Sequence, residues 1–361
     1  MKVLILCPYP FDEAPSQRFR FEQYFEVLKE HNIQFEQHSF LNDSTWKILY
    51  QKGHHLKKTQ GILFGFLRRL IILFKLHQFD LVFIHREATP LGFPWLEFLI
   101  RFVWKKKFIY DFDDAIWLPN TSNENQWIKW LKFHQKTKLI CKWAWKISVG
   151  NEYLADYTRQ YNQRVIINPT TIDTEKMHNP QLYKKTLNTK TVIGWTGSHS
   201  TITYLNSILP ILKKLEQEFE FEFLVISNKN PELELRSFKF LKWNKNTEME
   251  DLLKMDIGLM PLSNDEWSMG KCGFKALQYM ALEVPAIVSP VGINTQIIDH
   301  QINGFLCESD EEWLNALAEL IRNKEKRDQM GKSAREKVIN HYSVKSNRDN
   351  FLKILGDNPS T

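Results

Sequence analysis

The stretch Asp256-Ile257-Gly258-Leu259-Met260-Pro261-Leu262, followed by Met269-Gly270-Lys271-Cys272-Gly273-Phe274-Lys275-Ala276-Leu277-Gln278-Tyr279-Met280-Ala281, holds the fold class in miniature. A short apolar run suited to a buried strand ends at a proline, a glycine-bearing loop follows, and a helical segment leads to a second apolar run at Pro285–Ser289. Strand, loop, helix and strand in that order build a parallel sheet. Upstream, Thr191–Trp195 and Phe221–Ile226 read as strands, with a helix from the Gly197-Ser198-His199-Ser200 turn through Leu215 and another at Met249–Lys254. Downstream, charged helices begin at Asp310.

The first half repeats the alternation. Lys2–Cys7, Asn32–His38, Asp80–His85, Lys107–Phe112, Ile147–Val149 and Arg164–Ile167 read as strands, and Arg18–Lys29, Gln126–Lys142 and Glu152–Tyr161 as helices. Asn168–Asp173 and the polar run to Lys190 read as a linker. The expectation is an α/β chain of two doubly wound Rossmann-like domains, at 1–170 and 191–342, joined by 171–190 and followed by a terminal helical stretch at 343–361. Two such domains in series imply a cleft. Ligands of open parallel sheets sit beyond the carboxyl ends of the strands, so functional residues belong in the loops after strands.

At 361 residues the chain is too long for one comfortable core. Aromatics make up 13%, which fits an aromatic-rich core and also contact with carbohydrate or membrane. Cys7, Cys141, Cys272 and Cys307 are widely separated, with no metal-ligand spacing, and read as reduced thiols of a cytoplasmic protein. No apolar run reaches the roughly 18 residues of a spanning helix, so no membrane crossing is expected. Charge is uneven: residues 1–180 hold 25 Lys+Arg against 18 Asp+Glu, and residues 181–361 hold 23 against 24. The basic half is expected to meet something anionic. Ile62–Leu76, apolar with a basic face, joins Trp127, Lys129, Trp130, Lys132, Lys136, Lys142, Trp143 and Trp145 as a candidate surface for anionic lipid. The alternative is a buried helix with its cations outward. No nucleic-acid module is recognisable.

Three loops carry chemistry. Gly197-Ser198-His199-Ser200 joins a strand to a helix start, where backbone N–H groups favour an anion; a plain turn with a Ser or Thr cap is the alternative. Gly270-Lys271-Cys272-Gly273 adds a cation to such a loop, and Gln278, seven residues beyond Lys271, would share a helix face with it. The alternative leaves Lys271, Lys275 and Gln278 in solvent. In Tyr110-Asp111-Phe112-Asp113-Asp114-Ala115-Ile116-Trp117, clustered carboxylates end a strand and would serve a cation, a sugar hydroxyl or a helix start. His85-Arg86-Glu87 should reach the same edge. Arg18 and Arg20 open the first helix, either facing an anionic group or solvated.

The second half resembles glycosyltransferase family 4, whose members have the GT-B fold, in Asp256–Leu262, Gly273–Ala281, Val284-Pro285-Ala286-Ile287-Val288, Val291-Gly292 and Asn303-Gly304-Phe305-Leu306. The Asp-Phe-Asp-Asp segment looks like that of one branch of the family. The resemblance implies a nucleotide-diphosphate sugar held by the second domain, an acceptor held by the first, and a final helix crossing back to the first. It also implies transfer with retention of the anomeric configuration, without metal or a cofactor beyond the donor substrate. The chain departs from the family at several points. The two family glutamates fall on Gly270 and Gln278, the diphosphate-clamping Arg and Lys are absent around Ser198–Thr203, Asp113 falls near a position that often carries His, and Ala14-Pro15-Ser16-Gln17 replaces a Gly-Gly loop.

The expected protein is a cytoplasmic, retaining, metal-independent sugar transferase at the inner face of the membrane, acting on a glycan or a lipid-linked intermediate of cell-surface polysaccharide synthesis. Asp113, Asp114 and Lys271 are the expected catalytic residues. Gly197, Ser198, His199, Lys271, Cys272, Gly273, Phe274, Lys275 and Gln278 would bind the donor, and Arg18, Arg20, His85 and Arg86 would face the acceptor. A GT-B epimerase of nucleotide sugars and a catalytically inactive binding subunit are the rivals.

Overall fold

A computed structural model describes residues 1–49, 51, 53–118, 133, 135–184 and 188–356, with the side chain of His199 left undescribed. Trp127, Lys129, Trp130 and Lys132, assigned above to a lipid surface, lie outside the described residues. Two compact units emerge, Met1–Thr170 with Asn347–Thr361, and Thr171–Ser346.

The first unit is built on β1 (Lys2–Cys7), β2 (Gln34–Ser39), β3 (Leu81–His85), β4 (Phe108–Phe112), β5 (Lys146–Val149) and β6 (Val165–Ile167). All pair in parallel, in the order β2-β1-β3-β4-β5-β6. β3 and β4 are buried along their whole length, as continuous apolar strands between two helical layers must be. From β2 onward each crossover steps in the same direction. Right-handed connections therefore put the helices His55–Lys75, Trp95–Phe98, Lys136–Trp143 and Glu152–Arg159 on one face. The β1–β2 connection steps the other way and lies on the opposite face. The C-terminal helix Arg348–Leu355 packs there too: Phe351 stacks on Tyr24 with ring centroids 4.2 Å apart, and Lys146 Nζ donates to the carbonyls of Lys353 and Gly356, both at 2.7 Å.

The single helix expected at Arg18–Lys29 is instead a turn at Pro15–Arg18, a 3-10 turn at Glu22–Tyr24 and a helix at Phe25–Glu30. Arg18, Phe19, Arg20 and Phe21 are all buried. A regular surface helix buries one stripe, so four consecutive buried residues require the chain to bend.

The second unit holds β7 (Thr191–Gly197), β8 (Phe221–Ser227), β9 (Phe238–Lys242), β10 (Ile257–Met260), β11 (Ala286–Val288) and β12 (Gly304–Leu306), parallel in the order β12-β11-β10-β7-β8-β9. The two edge strands were not expected. β12 is too short to show a period, and β9, Phe-Lys-Phe-Leu-Lys, carries the lysines that suit an exposed edge. The core joins Ile193, Trp195, Phe223 and Ile257 of the sheet to Leu212 and Leu317 of the covering helices Leu209–Glu218 and Asp310–Arg322. Each such burial stabilises by about 1.5–3 kcal/mol before chain entropy is counted.

The segment read as a linker begins inside this unit. Ile172 N–H donates to the Tyr342 carbonyl at 2.8 Å, and Arg335 donates to the carbonyls of Thr174 and His178 at 3.0 and 2.8 Å. Among the described residues no helix is long and apolar enough to cross a membrane.

Candidate functional site

In the first unit, the carboxyl edge of the sheet concentrates charge in two layers. The lower layer centres on Asp111 of β4, which is fully buried. Arg20 donates to its carboxylate, to the Asn168 carbonyl and, at 3.3 Å, to Ser148 Oγ. His85 Nδ1 lies 2.8 Å from Asp111 Oδ2, and Ser148 Oγ donates to Oδ1 at 2.6 Å. Burial opposes ionisation of Asp111, but Arg20 and His85 outweigh it and hold the carboxyl below its usual range.

The upper layer is Arg86 with Asp113 and Asp114. Arg86 Nε and Nη2 donate to Asp113 Oδ1 at 2.9 and 2.7 Å, and Nη2 donates to Asp114 Oδ2 at 2.6 Å. Burial disfavours the guanidinium, yet the two carboxylates reverse this and raise its pKa. Arg86 adopts φ +58°, a left-handed conformation unusual for a side chain of this size, and Tyr110 Oη donates to its carbonyl at 2.8 Å. The Asp-x-Asp pattern read as a possible cation site thus divides: Asp111 turns inward to Arg20, and Asp113 turns to Arg86. Among the described residues no cluster of three His, Cys, Asp or Glu forms a metal-binding group. Trp117, closing the motif, stacks on Tyr157 at 3.8 Å and pins the segment to the helix Glu152–Arg159.

Arg20 and His85, expected to face an acceptor, are buried beneath this edge, with 1% and 0% of their surface exposed, and serve Asp111. Arg18 is also buried, 3.2 Å from Asp12 Oδ1. Gln17 latches the loop after β1, accepting from Tyr9 N–H at 2.9 Å and donating to the Tyr9 carbonyl at 3.0 Å. Arg69, from the helix His55–Lys75, donates to the carbonyls of Cys7, His38 and Ala88 at 2.8, 2.9 and 2.7 Å, tying the ends of β1 and β2 to the loop after β3. Burial lowers its pKa to about 10. Its sequence signal was an arginine on the stripe that carries Ile72 and Leu73.

In the second unit, Ser198 follows β7 and opens a 3-10 segment, His199–Ser207; its Oγ lies 2.8 Å from Ser200 Oγ. Lys271 and Gln278 do not share a helix face, contrary to expectation. The helix is Phe274–Ala281, preceded by a short turn at Glu266–Met269, and Lys271 lies between them. Gly273 separates the two at φ +68°, a conformation that glycine adopts without strain. The start of the longer helix is thus flanked by Lys271 and Lys275, whose ammonium groups lie over the rings of Trp267 and Trp195 at 4.9 and 5.3 Å. Cys272 and Gln278 are buried, and Gln278 Nε2 lies 3.4 Å from His178 Nε2. Gln278 is therefore not a surface residue, and its neighbour comes from the segment read as linker.

Residues 226–337 match the family model of Glycosyl transferases group 1. No curated protein gives a match. Among solved structures, sucrose-phosphate synthase from Thermosynechococcus elongatus superposes with TM-score 0.72 at 12% identity, over 98% of each chain. A glycosyltransferase from Rickettsia africae gives 0.69 at 13% identity, over 99% of each. HepE of Anabaena in complex with UDP gives 0.62 at 13% identity, over 99% of this chain and 100% of that one. The fold is GT-B, and the second unit carries a stretch of the group 1 glycosyltransferase type.

Proposed function

We propose that the protein is a retaining, metal-independent glycosyltransferase that moves a sugar from a nucleotide-diphosphate donor to a glycan or lipid-linked acceptor of cell-surface polysaccharide synthesis, at the cytoplasmic face of the membrane. The observation that carries this reading is the glycine-capped helix start flanked by Lys271 and Lys275, within the stretch that matches the group 1 family. Backbone donors at a helix N-terminus and two ammonium groups stabilise a diphosphate, most of all as it leaves with its charge unshared. Gly197, Ser198, His199, Cys272, Gly273 and Phe274 complete the donor site, and Gln278 meets the ribose through its amide. The Arg86–Asp113–Asp114 cluster acts at the reacting sugar or the acceptor. Arg20 and His85 act through Asp111 by holding the edge in place, and Arg18 holds the loop before it. Catalysis is then positioning and electrostatics: the anomeric bond to the diphosphate breaks, a bond to the acceptor oxygen forms on the same face, and the acceptor hydroxyl's proton passes to the leaving diphosphate.

The test is a thermal-shift series with UDP, GDP, CDP, TDP and ADP and their sugars, on the wild type and Lys271→Ala. UDP is tried first because a structural neighbour was crystallised with it. The expected result is a rise in midpoint with one nucleotide family, lost in Lys271→Ala at unchanged intrinsic stability. No rise with any of them, from folded protein, supports the binding-subunit alternative.

A further inference from the structure

We infer that the outward face of the helix His55–Lys75 is a docking surface for an anionic phospholipid bilayer. This helix is built the reverse of a normal covering helix. Its inward stripe is Gly61, Gly65, Arg69, Ile72 and Leu73. The two glycines press close to the neighbouring chain, where a Cβ would meet Thr45 at 2.1 Å and Phe40 at 2.7 Å. Arg69 is drawn in to the strand ends described above. The apolar surplus is therefore turned outward. Leu63, Phe64, Leu67, Leu70, Ile71 and Phe74 are 46–74% exposed and fall at i, i+1, i+4, i+7, i+8 and i+11, one continuous stripe. A soluble surface scatters such residues, and a contiguous stripe of this kind marks an interaction face.

A second apolar group continues it. Phe66 of the same helix stacks with Trp95, which starts the next helix on this face of the sheet, and that segment exposes Phe98, Phe102 and Val103. Phe98 and Phe102 meet Trp143 of the helix after that.

Charge selects the occupant. Apart from the buried Arg69, the helix His55–Lys75 contains Lys57, Lys58, Arg68 and Lys75 and no acidic residue. Arg101 and Lys105 are exposed on the segment that carries the second group, and Lys107, Lys138 and Lys142 are exposed further along the chain, over the rings of Trp145 and Tyr161. The acids from His55 to Lys107 are Asp80, Glu87 and Glu97. Asp80 accepts from Lys2 N–H, Glu87 pairs with Lys136, and Glu97 is buried and accepts from Ala88 N–H. An apolar stripe rimmed by cations suits the boundary between acyl chains and anionic headgroups. The proposal narrows the lipid surface expected at Ile62–Leu76 and its neighbours to this outward stripe, with the apolar residues and not a basic face toward the lipid. The contact does not depend on sugar transfer, although a lipid-linked acceptor would give it a purpose.

The test is flotation of the full-length protein with phosphatidylcholine vesicles, with or without phosphatidylglycerol. Wild type should float with the anionic vesicles only, and less at 1 M than at 0.1 M salt, where the Debye length falls from about 10 Å to about 3 Å. The variant Phe64→Ser/Leu67→Ser/Ile71→Ser should lower the bound fraction by about tenfold or more. It should keep its melting midpoint and its nucleotide shift. Should it fail to fold, Lys57→Glu/Lys105→Glu serves in its place and should also lose flotation. Absence of flotation, or equal flotation on neutral vesicles, overturns the proposal. So does a two-copy particle in wild type that the triple serine variant converts to one copy, with flotation unchanged. Nucleotide binding is read separately, so either proposal can fail alone.

Discussion

The backbone N–H of Thr196 donates to the hydroxyl of Tyr279 at 2.9 Å. This bond joins the end of β7, where the Gly197–Ser200 loop begins, to the middle of the helix whose start is flanked by Lys271 and Lys275. The same ring lies against β10 at Gly258, where a Cβ would fall 2.3 Å from it. One buried tyrosine thus sets the spacing of the two loops proposed to share the diphosphate.

Tyr279→Phe keeps the ring and leaves a buried donor unsatisfied. Stability should fall by about 1–2 kcal/mol in a urea melt, and nucleotide affinity several-fold, as the Gly197–Ser200 loop loses its tether. Gly258→Ala should cost a further 1–3 kcal/mol or so by overpacking against the ring, most of it recovered when Tyr279 is also made Leu.

Arg86 combines a backbone requirement with a charge requirement, and two substitutions separate them. Arg86→Ala and Arg86→Gly both leave Asp113 and Asp114 without their guanidinium, so both should lose sugar transfer by at least tenfold. Glycine relieves the left-handed backbone, so Arg86→Gly should be the more stable by about 1 kcal/mol in thermal melts. Equal activity in either variant and wild type removes the cluster from the site.

Asp111→Asn leaves Arg20 buried without its counter-charge and should cost about 3–5 kcal/mol at pH 7. The Asp111 carboxyl lies below its unfolded value in the native protein. Its contribution is therefore complete above that unfolded value of about 3.9 and is lost as pH falls through it toward the lower native one. The stability gap between wild type and Asp111→Asn should be constant from pH 7 to 5 and narrow below about pH 4, as read by urea melts across that range.

Arg69→Met fills the same volume but withdraws three donors from buried carbonyls. Stability should fall by about 3 kcal/mol, and hydrogen exchange should speed up at the loop after β1, because Cys7, His38 and Ala88 lose the group that ties them together.

How far the sequence carried this depends on how local each feature is. Ten of the twelve strands among the described residues were readable: those buried on both faces, such as β3 and β4, as continuous apolar runs, and the half-exposed edge strands β2 and β6 from their place in the alternation of strand and helix. β9 and β12 were not, since an edge strand interrupted by lysines at 239 and 242 and a three-residue strand acquire their identity from the neighbour they pair with. The glycines of the loop after β7 and of the loop before the helix Phe274–Ala281, and the Asp-Phe-Asp-Asp segment, were likewise visible as composition at the ends of strands. Their partners were not. That Asp111 turns to Arg20 while Asp113 and Asp114 turn to Arg86 follows from which way each side chain leaves the end of β4. That Gln278 faces His178 follows from where the chain entering the second unit is packed. The helix His55–Lys75 makes the same point most sharply. Its sequence announces an amphipathic helix with cations, and periodicity marks two faces without saying which is inside. The close approach at Gly61 and Gly65 and the three carbonyls awaiting Arg69 decide that, and they turn the leucines and phenylalanines outward because a buried guanidinium with three acceptors is more stable there than an apolar stripe against open strand ends.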